Sequence, residues 1–313
     1  GWVVGARKAR GYFRPGELAG VRAAAGVGRG TKCDGSAVPF RTIDRAGSRD
    51  LVQAMCIGRV GKGYRVRYAI ADGPAFVKPG GAIDVEAFKR GQTIYAPDQR
   101  TPLHPEQLSE DAASLLPDQV RPAFVWDMQL DADGEGTSVD VYRAMVSSKK
   151  RLDYAQVQAA VDSGTAAECL VGLKEVGERR IALERSRGGA SLPLPEQEVS
   201  VDKDGHYVLA FRPPVAAEDW NAQISLLTGM AAAEMMIRAR VGILRTMPPP
   251  DEHSVSRFRR QARALGIEWH QVDAYGEFLR WLVRHIRKNL VLLLAPTGLL
   301  PCRVSRPFPG PAY

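Results

Sequence analysis

The stretch Pro39-Phe40-Arg41-Thr42-Ile43-Asp44, followed by Ser48-Arg49-Asp50-Leu51-Val52-Gln53-Ala54, decides the reading of this chain. Its apolar, β-branched start predicts a strand that delivers a carboxylate at its end. Gly47 lies in the short loop behind it, and a second carboxylate opens the next apolar segment. Hard divalent cations take oxygen ligands, and a strand end with a tight loop can bring several together. A solvated surface loop offers the same two aspartates, so the spacing alone leaves both readings open.

Working outward, 313 residues that are 45% hydrophobic and 25% charged describe a soluble globular chain, either one large domain or two small ones. The net charge of +8 would ordinarily suggest a polyanionic partner. Its distribution undoes that inference. Residues 1–32 carry +6, residues 278–313 carry +6, and the middle, 33–277, carries −4. Cys33, Cys56, Cys169 and Cys302 are widely spaced, which suits reduced thiols and neither a zinc site nor a disulfide frame. No secretory signal is visible, and the longest apolar run, Leu290 to Ala295, is too short to span a bilayer. A cytoplasmic location is expected, and the sequence points to no protein partner.

Along the chain, the basic start allows a short helix at Leu18 to Ala25. Tyr64 to Ile70 alternates as a strand does. Asp84 to Arg90 reads as a short amphipathic helix with Val85 and Phe88 on one side, and Leu108 to Leu116 as another, stopped by Pro117. Val120 to Leu130 and Ser138 to Ser147 predict paired strands turning at Asp131-Ala132-Asp133-Gly134. Helices follow at Tyr154 to Ser163 and Ala166 to Arg187, then a hairpin from Glu196 to Phe211 turning at Asp204-Gly205. An apolar helix runs from Asp219 to about Arg240, with Met230, Met235 and Met236 read as core, and a last one from Glu252 to Gly266. Helices and strands mix without a βαβ repeat, so the class is α+β.

The order of motifs carries a resemblance. After the Thr42-Ile43-Asp44 loop come Tyr68-Ala69-Ile70-Ala71-Asp72, Gly81-Ala82-Ile83-Asp84, Thr93-Ile94-Tyr95-Ala96-Pro97 and Pro102-Leu103-His104-Pro105-Glu106-Gln107-Leu108-Ser109. From about Pro39 to Tyr275 the chain resembles the catalytic (RNB) domain of the ribonuclease II/R exoribonucleases. The resemblance implies a mixed sheet surrounded by helices, C-terminally truncated. It divides the chain into a basic segment (1–37), an RNB-like domain (38–277) and a Pro/Leu-rich basic tail (278–313).

The resemblance also implies chemistry: Mg²⁺-dependent 3′→5′ hydrolysis of single-stranded RNA to nucleoside 5′-monophosphates. In such enzymes a cluster of four carboxylates holds the metal. Asp44 and Asp50 match the first two positions, Val52 stands at the third and Gln53 at the fourth. The expected metal ligands are therefore Asp44, Asp50 and Gln53, and Val52 can coordinate nothing. Tyr154 matches the tyrosine near the scissile phosphate and joins Asp50 as a catalytic candidate. Tyr95 is expected to stack on the RNA end, and Lys149, Lys150 and Arg151 to meet phosphate. A glutamate pair of the family aligns with Ala222 and Gln223, and no T-S/A-P-x-R-R segment follows Glu277. Weak or absent cleavage is the expectation. A non-catalytic RNA-binding module and a functionless relic are the alternatives.

Overall fold

The computed structural model describes residues 33–96, 99–189, 196–246, 251–264 and 266–269, with Phe278, Trp281 and the strand at 304–307. The expected helix at Leu18 to Ala25 and Cys302 lie outside the described residues. Chain order runs β1 (Cys33–Asp44), β2 (Gln53–Val60), β3 (Gly63–Ala71), helix α1 (Ala82–Arg90), and the short ladder of β4 (Ile94–Tyr95) and β5 (Arg100–Thr101). The long strands β6 (Val120–Leu130) and β7 (Gly136–Asp153) come next, then helices α2 (Tyr154–Asp162) and α3 (Glu168–Ser186). The hairpin β8 (Glu196–Val201) and β9 (Tyr207–Arg212) precedes α4 (Ala216–Ala239), β10 (Ile243–Thr246), α5 (Glu252–Ala264) and β11 (Val304–Pro307). None of the described helices is long and apolar enough to cross a membrane.

Backbone contacts divide the chain into two compact units. The first runs to Gly177 and takes in Gln197–Phe211 and Val215–Ile224; the second holds Glu178–Glu196, Arg212–Pro214 and Ser225 onward.

In the first unit β1, β2, β3, β6 and β7 close a barrel. Successive neighbours are antiparallel, except that β7 returns parallel to β1, from Cys33↔Ala144 to Asp44↔Asp153. The expected hairpin at Asp131–Gly134 is present, with Asp131 Oδ1 accepting from the amides of Asp133 and Glu135, both at 2.9 Å. One face of the sheet gathers side chains from all five strands (Phe40, Ala54, Ala69, Val125, Ala144 and Val146 among them) and so forms the interior. Small alanines are what a barrel of so few strands can accommodate.

The outer face presents Met55, Ile57, Tyr64 and Val66, all buried. Helix α3 comes close enough that a Cβ on Gly172 would sit 2.8 Å from Ile57 Cγ2. Beyond Arg41↔Met55, β2 has no partner in β1. There the Cys169 thiol takes the Ile57 amide at 3.3 Å, satisfying an edge donor that would otherwise be buried without a partner.

Two expected helices differ. In α1, Phe88 is 90% exposed and Val85 is also exposed, while Ile83 and Glu86 turn inward. Arg90, whose side chain is nearly buried, explains the rotation: its guanidinium reaches Glu86 at 3.1 Å and draws that face into the protein. Residues Leu108–Ala112 make a single wide π-turn rather than a helix reaching Leu116. The Leu115 amide donates to the Leu51 carbonyl at 2.9 Å instead of continuing the turn.

The second unit holds the later part of α4 and an aromatic cluster. Phe258 of α5 meets Trp269 edge-on at 5.7 Å, and Trp269 stacks on Phe278 at 4.5 Å. Met230 and Met235, expected in the core, are more than a third exposed. Methionine's soft sulfur tolerates that position, and the Met230 sulfur accepts from Arg180 Nη2 at 3.2 Å.

Candidate active site

The loop between β1 and β2 is built around Asp44. Its Oδ1 accepts from the Arg45 amide at 2.7 Å and its Oδ2 from the Ser48 hydroxyl at 3.1 Å. Ser48 donates its own amide to the Arg45 carbonyl at 3.1 Å, and Gly47 supplies the left-handed φ of 81° that the turn requires. Leu51 is the anchor: its side chain is buried and its amide donates to Ser114 Oγ at 3.1 Å. The same hydroxyl donates to the Arg49 carbonyl at 2.6 Å. One buried serine thus pins both residues that flank Asp50.

Asp50 is partly buried. Burial pushes its carboxyl above the usual range, the Arg100 guanidinium pulls the other way, and the nearby Asp44 carboxylate adds to the rise. Arg100 is itself held by Glu110 and, at 3.7 Å, by Glu106.

Tyr154 is the first residue of α2, directly after the N-cap Asp153. Asp153 and Gln156 form a reciprocal capping box at 2.8 and 3.1 Å. Because Asp153 pairs with Asp44 across the β7–β1 ladder, the start of α2 lies beside the carboxylate loop. Burial raises the Tyr154 hydroxyl, the Asp44 carboxylate raises it further, and a 3.0 Å bond from Asn221 Nδ2 opposes them. Arg151 Nη1 reaches back to the Ser48 carbonyl at 3.1 Å.

The structure therefore brings Asp44, Asp50, Tyr154 and Arg151 around one loop. Gln53 stands at the start of β2 with its amide oxygen accepting from the Tyr68 hydroxyl at 2.5 Å. Val52 is 46% exposed and offers no donor. Tyr95, 73% exposed, lies opposite Arg100 in the β4–β5 ladder. Lys149 and Lys150 are exposed on β7, and Gln223 is buried in α4.

Two carboxylates across one loop, one of them raised above its usual range mainly by burial, are a hard-oxygen pair suited to a divalent cation. Mg²⁺ commonly takes one or two carboxylates and completes its shell with water and phosphate. Among the described residues, the grouping of three acid or imidazole ligands within one ion's reach is Asp202, Asp204 and His206. It is the exposed turn of the β8–β9 hairpin, where Asp202 Oδ1 accepts from the amides of Asp204 and His206.

Sequence reasoning missed Arg100, Ser114 and Asn221. Each meets the site through contacts that skip at least 50 residues of chain, which no local spacing signals.

The sequence profile of the RNB domain matches residues 34–293. The chain belongs to the RNB-domain family. This RNB chain is similar to ribonuclease R of Thermotoga maritima, 29% identical over 237 residues, which span 72% of the chain and 33% of the relative. It is similar to ribonuclease R of Aquifex aeolicus, 30% identical over 280 residues, 84% of the chain and 40% of the relative. The chain thus spans well under half the length of the curated relatives it matches. Its fold resembles that of Mycoplasma genitalium RNase R solved with ribose-methylated single-stranded RNA, with a TM-score of 0.81 at 23% identity over 92% of this chain and 48% of the other. It also resembles yeast Ssd1, described as a pseudonuclease, with a TM-score of 0.67 at 14% identity over 88% and 35%.

Proposed function

We propose that this RNB domain serves a 3′→5′ exoribonuclease that hydrolyses single-stranded RNA to nucleoside 5′-monophosphates with Mg²⁺, and that this chain cleaves weakly. The observation that carries this reading is the convergence of Asp44, Asp50 and Tyr154 on one braced loop. Asp44 and Asp50 would hold the metal. A bound Mg²⁺ supplies an activated water and neutralises charge developing on the phosphate.

The chain's own groups do the rest. The backbone on both sides of Asp50 is held by Ser114, which fixes where its carboxylate is presented. Tyr154 keeps its proton because burial and Asp44 both oppose the phenolate, so it is a hydrogen-bond donor for a phosphate oxygen. Arg151, with guanidinium donors beyond the one given to Ser48, orients the RNA backbone with Lys149 and Lys150. Tyr95 presents an open ring for base stacking.

Val52 accounts for the weakness, since a carboxylate there would complete a third oxygen position. A second reading, an RNA-binding module that does not cut, is favoured by the same residue and by the engagement of the Gln53 amide oxygen with Tyr68. The test is release of 5′-monophosphates from labelled single-stranded RNA with Mg²⁺ or EDTA, for the native chain and Val52→Asp. EDTA-sensitive release that rises about tenfold or more in Val52→Asp supports the enzyme. Silence from both, with Mg²⁺-independent RNA binding, selects the second reading.

A further inference from the structure

A pocket of about 450 Å³ opens in the first unit where the parallel β1–β7 ladder meets α2 and α3. Leu152 and Leu170, both buried, contribute its apolar lining. Arg41, Lys150 and Arg151 contribute three cations to the same pocket, and no acidic residue lines it. The register explains the cluster, because Arg41 pairs with Lys150 and the next rung pairs Thr42 with Arg151.

The two guanidiniums each give one bond to a backbone carbonyl, Arg41 to Pro39 at 3.3 Å and Arg151 to Ser48 at 3.1 Å. Among the described residues none of the three cations has a carboxylate partner, whereas Arg59, Arg65, Arg90, Arg100, Arg121 and Arg143 all do. Three like charges around one concavity repel unless an anion joins them. Two further features favour phosphate. Ala167, whose carbonyl takes the first amides of α3 from Leu170 and Val171, lines the pocket, so the positive end of a 19-residue helix borders it. Gln156 also lines it, with its amide oxygen occupied by the capping box and its NH₂ left as a donor. The volume falls in the range of roughly 300–1,000 Å³ typical of small-molecule sites.

We propose that this pocket binds a phosphate monoester of nucleotide size, with Arg41 and Lys150 as its principal anchors and the leucines under the remainder of the ligand. The site is separate from the Asp44–Asp50 loop and needs no metal. Arg151, which lines the pocket and bonds the loop's Ser48, is shared by the two, and Lys150, assigned above to the RNA backbone, borders both as well. A free nucleotide and the phosphorylated end of an RNA present the same chemistry.

The test is calorimetric titration in EDTA with adenosine 5′-monophosphate, and with adenosine as the control, on the native chain, Asp50→Asn, Arg41→Ala and Ala160→Phe. Ala160 lines the pocket, so the phenylalanine fills it. Expected are saturable binding of the monophosphate to the native chain and to Asp50→Asn alike, binding of adenosine about tenfold weaker or less, and a loss of about tenfold or more in Arg41→Ala and Ala160→Phe. A thermal transition confirms that each variant is folded, and either pocket variant alone carries the test. A 5′-phosphorylated oligoribonucleotide that displaces the monophosphate identifies an RNA end as the ligand; failure to displace it identifies a free nucleotide. The proposal is overturned if the native chain shows no saturable binding at millimolar ligand. It is equally overturned if binding is lost in Asp50→Asn and kept in Arg41→Ala, which would place the ligand at the carboxylate loop. Neither result bears on whether that loop cleaves RNA.

Discussion

Asn221 donates its side-chain amide to the Tyr154 hydroxyl at 3.0 Å, joining the first turn of α2 to α4 across 67 residues of sequence. A second bond, from the Ala217 amide to the Gln158 side-chain oxygen at 3.1 Å, holds the same two helices together. Tyr154 is therefore oriented from a distant segment, while the carboxylate loop beside it is braced from another.

Replacing Asn221 by Ala removes the one interaction with a neighbouring side chain that lowers the Tyr154 hydroxyl by hydrogen bonding. Burial and the Asp44 carboxylate then act with less opposition, so the hydroxyl titrates at still higher pH. Nuclear magnetic resonance of tyrosine Cζ carbons, with Tyr154→Phe to assign the signal, should show the shift upward. No change, or a downward shift, contradicts it.

Asp50 gives a pH dependence of definite sign. Its folded-state carboxyl is raised, mainly by burial, so the folded protein binds this proton more tightly than the unfolded chain does. The stability this confers is fully present below the usual carboxylate range and declines as pH rises through the raised folded value. Asp50→Asn should thus raise the melting temperature at pH 7 and have little effect near pH 3. Mg²⁺ should stabilise the native chain at pH 7 and not Asp50→Asn, which thermal scans with and without the metal would read.

Ser114→Ala leaves the Leu51 amide and the Arg49 carbonyl without the hydroxyl that serves both. Leaving buried polar groups unpaired costs about 1–3 kcal/mol each at most. The variant should unfold at lower denaturant, and amide hydrogen exchange should accelerate across residues 45–52. Unchanged exchange there would mean that the loop is braced by something else.

Gly172→Ala tests the seating of α3 on the barrel. The added methyl would overlap Ile57, and overpacking of this kind costs about 1–3 kcal/mol. In an Ile57→Ala background, which lacks the contacted Cγ2, Gly172→Ala should cost less than it does alone; equilibrium denaturation of the single and double variants would show it.

Much of the barrel was legible in the residues themselves. Alternation at Tyr64 to Ile70 and the turn at Asp131 to Gly134 are short-range signals, and both the strands and the hairpin stand where they imply. The buried face of α1 was not legible, because Val85 and Phe88 are apolar by type yet exposed, whereas the inward side carries Ile83 and the pairing of Glu86 with Arg90. At the site, Asp44 and Asp50 announce themselves through a strand end and a loop. Their support does not: Ser114 is an unremarkable serine until the chain folds over it, and Arg100 is one arginine among many. Arg41 and Lys150 are likewise 109 positions apart and become neighbours through the parallel rung that pairs them.

That parallel rung also governs the order of assembly. β1 emerges first, yet its partner along the far edge is β7, and the two meet over a separation of roughly a hundred residues. Closing so long a loop is entropically costly and slow relative to the hairpins in between. β2 with β3, and β6 with β7, can form locally while β1 waits. The carboxylates of the 44–50 loop are consequently presented beside Tyr154 only after synthesis has passed Asp153 and the barrel has shut. A growing chain therefore completes the surroundings of its carboxylate loop late, by the same step that completes its core.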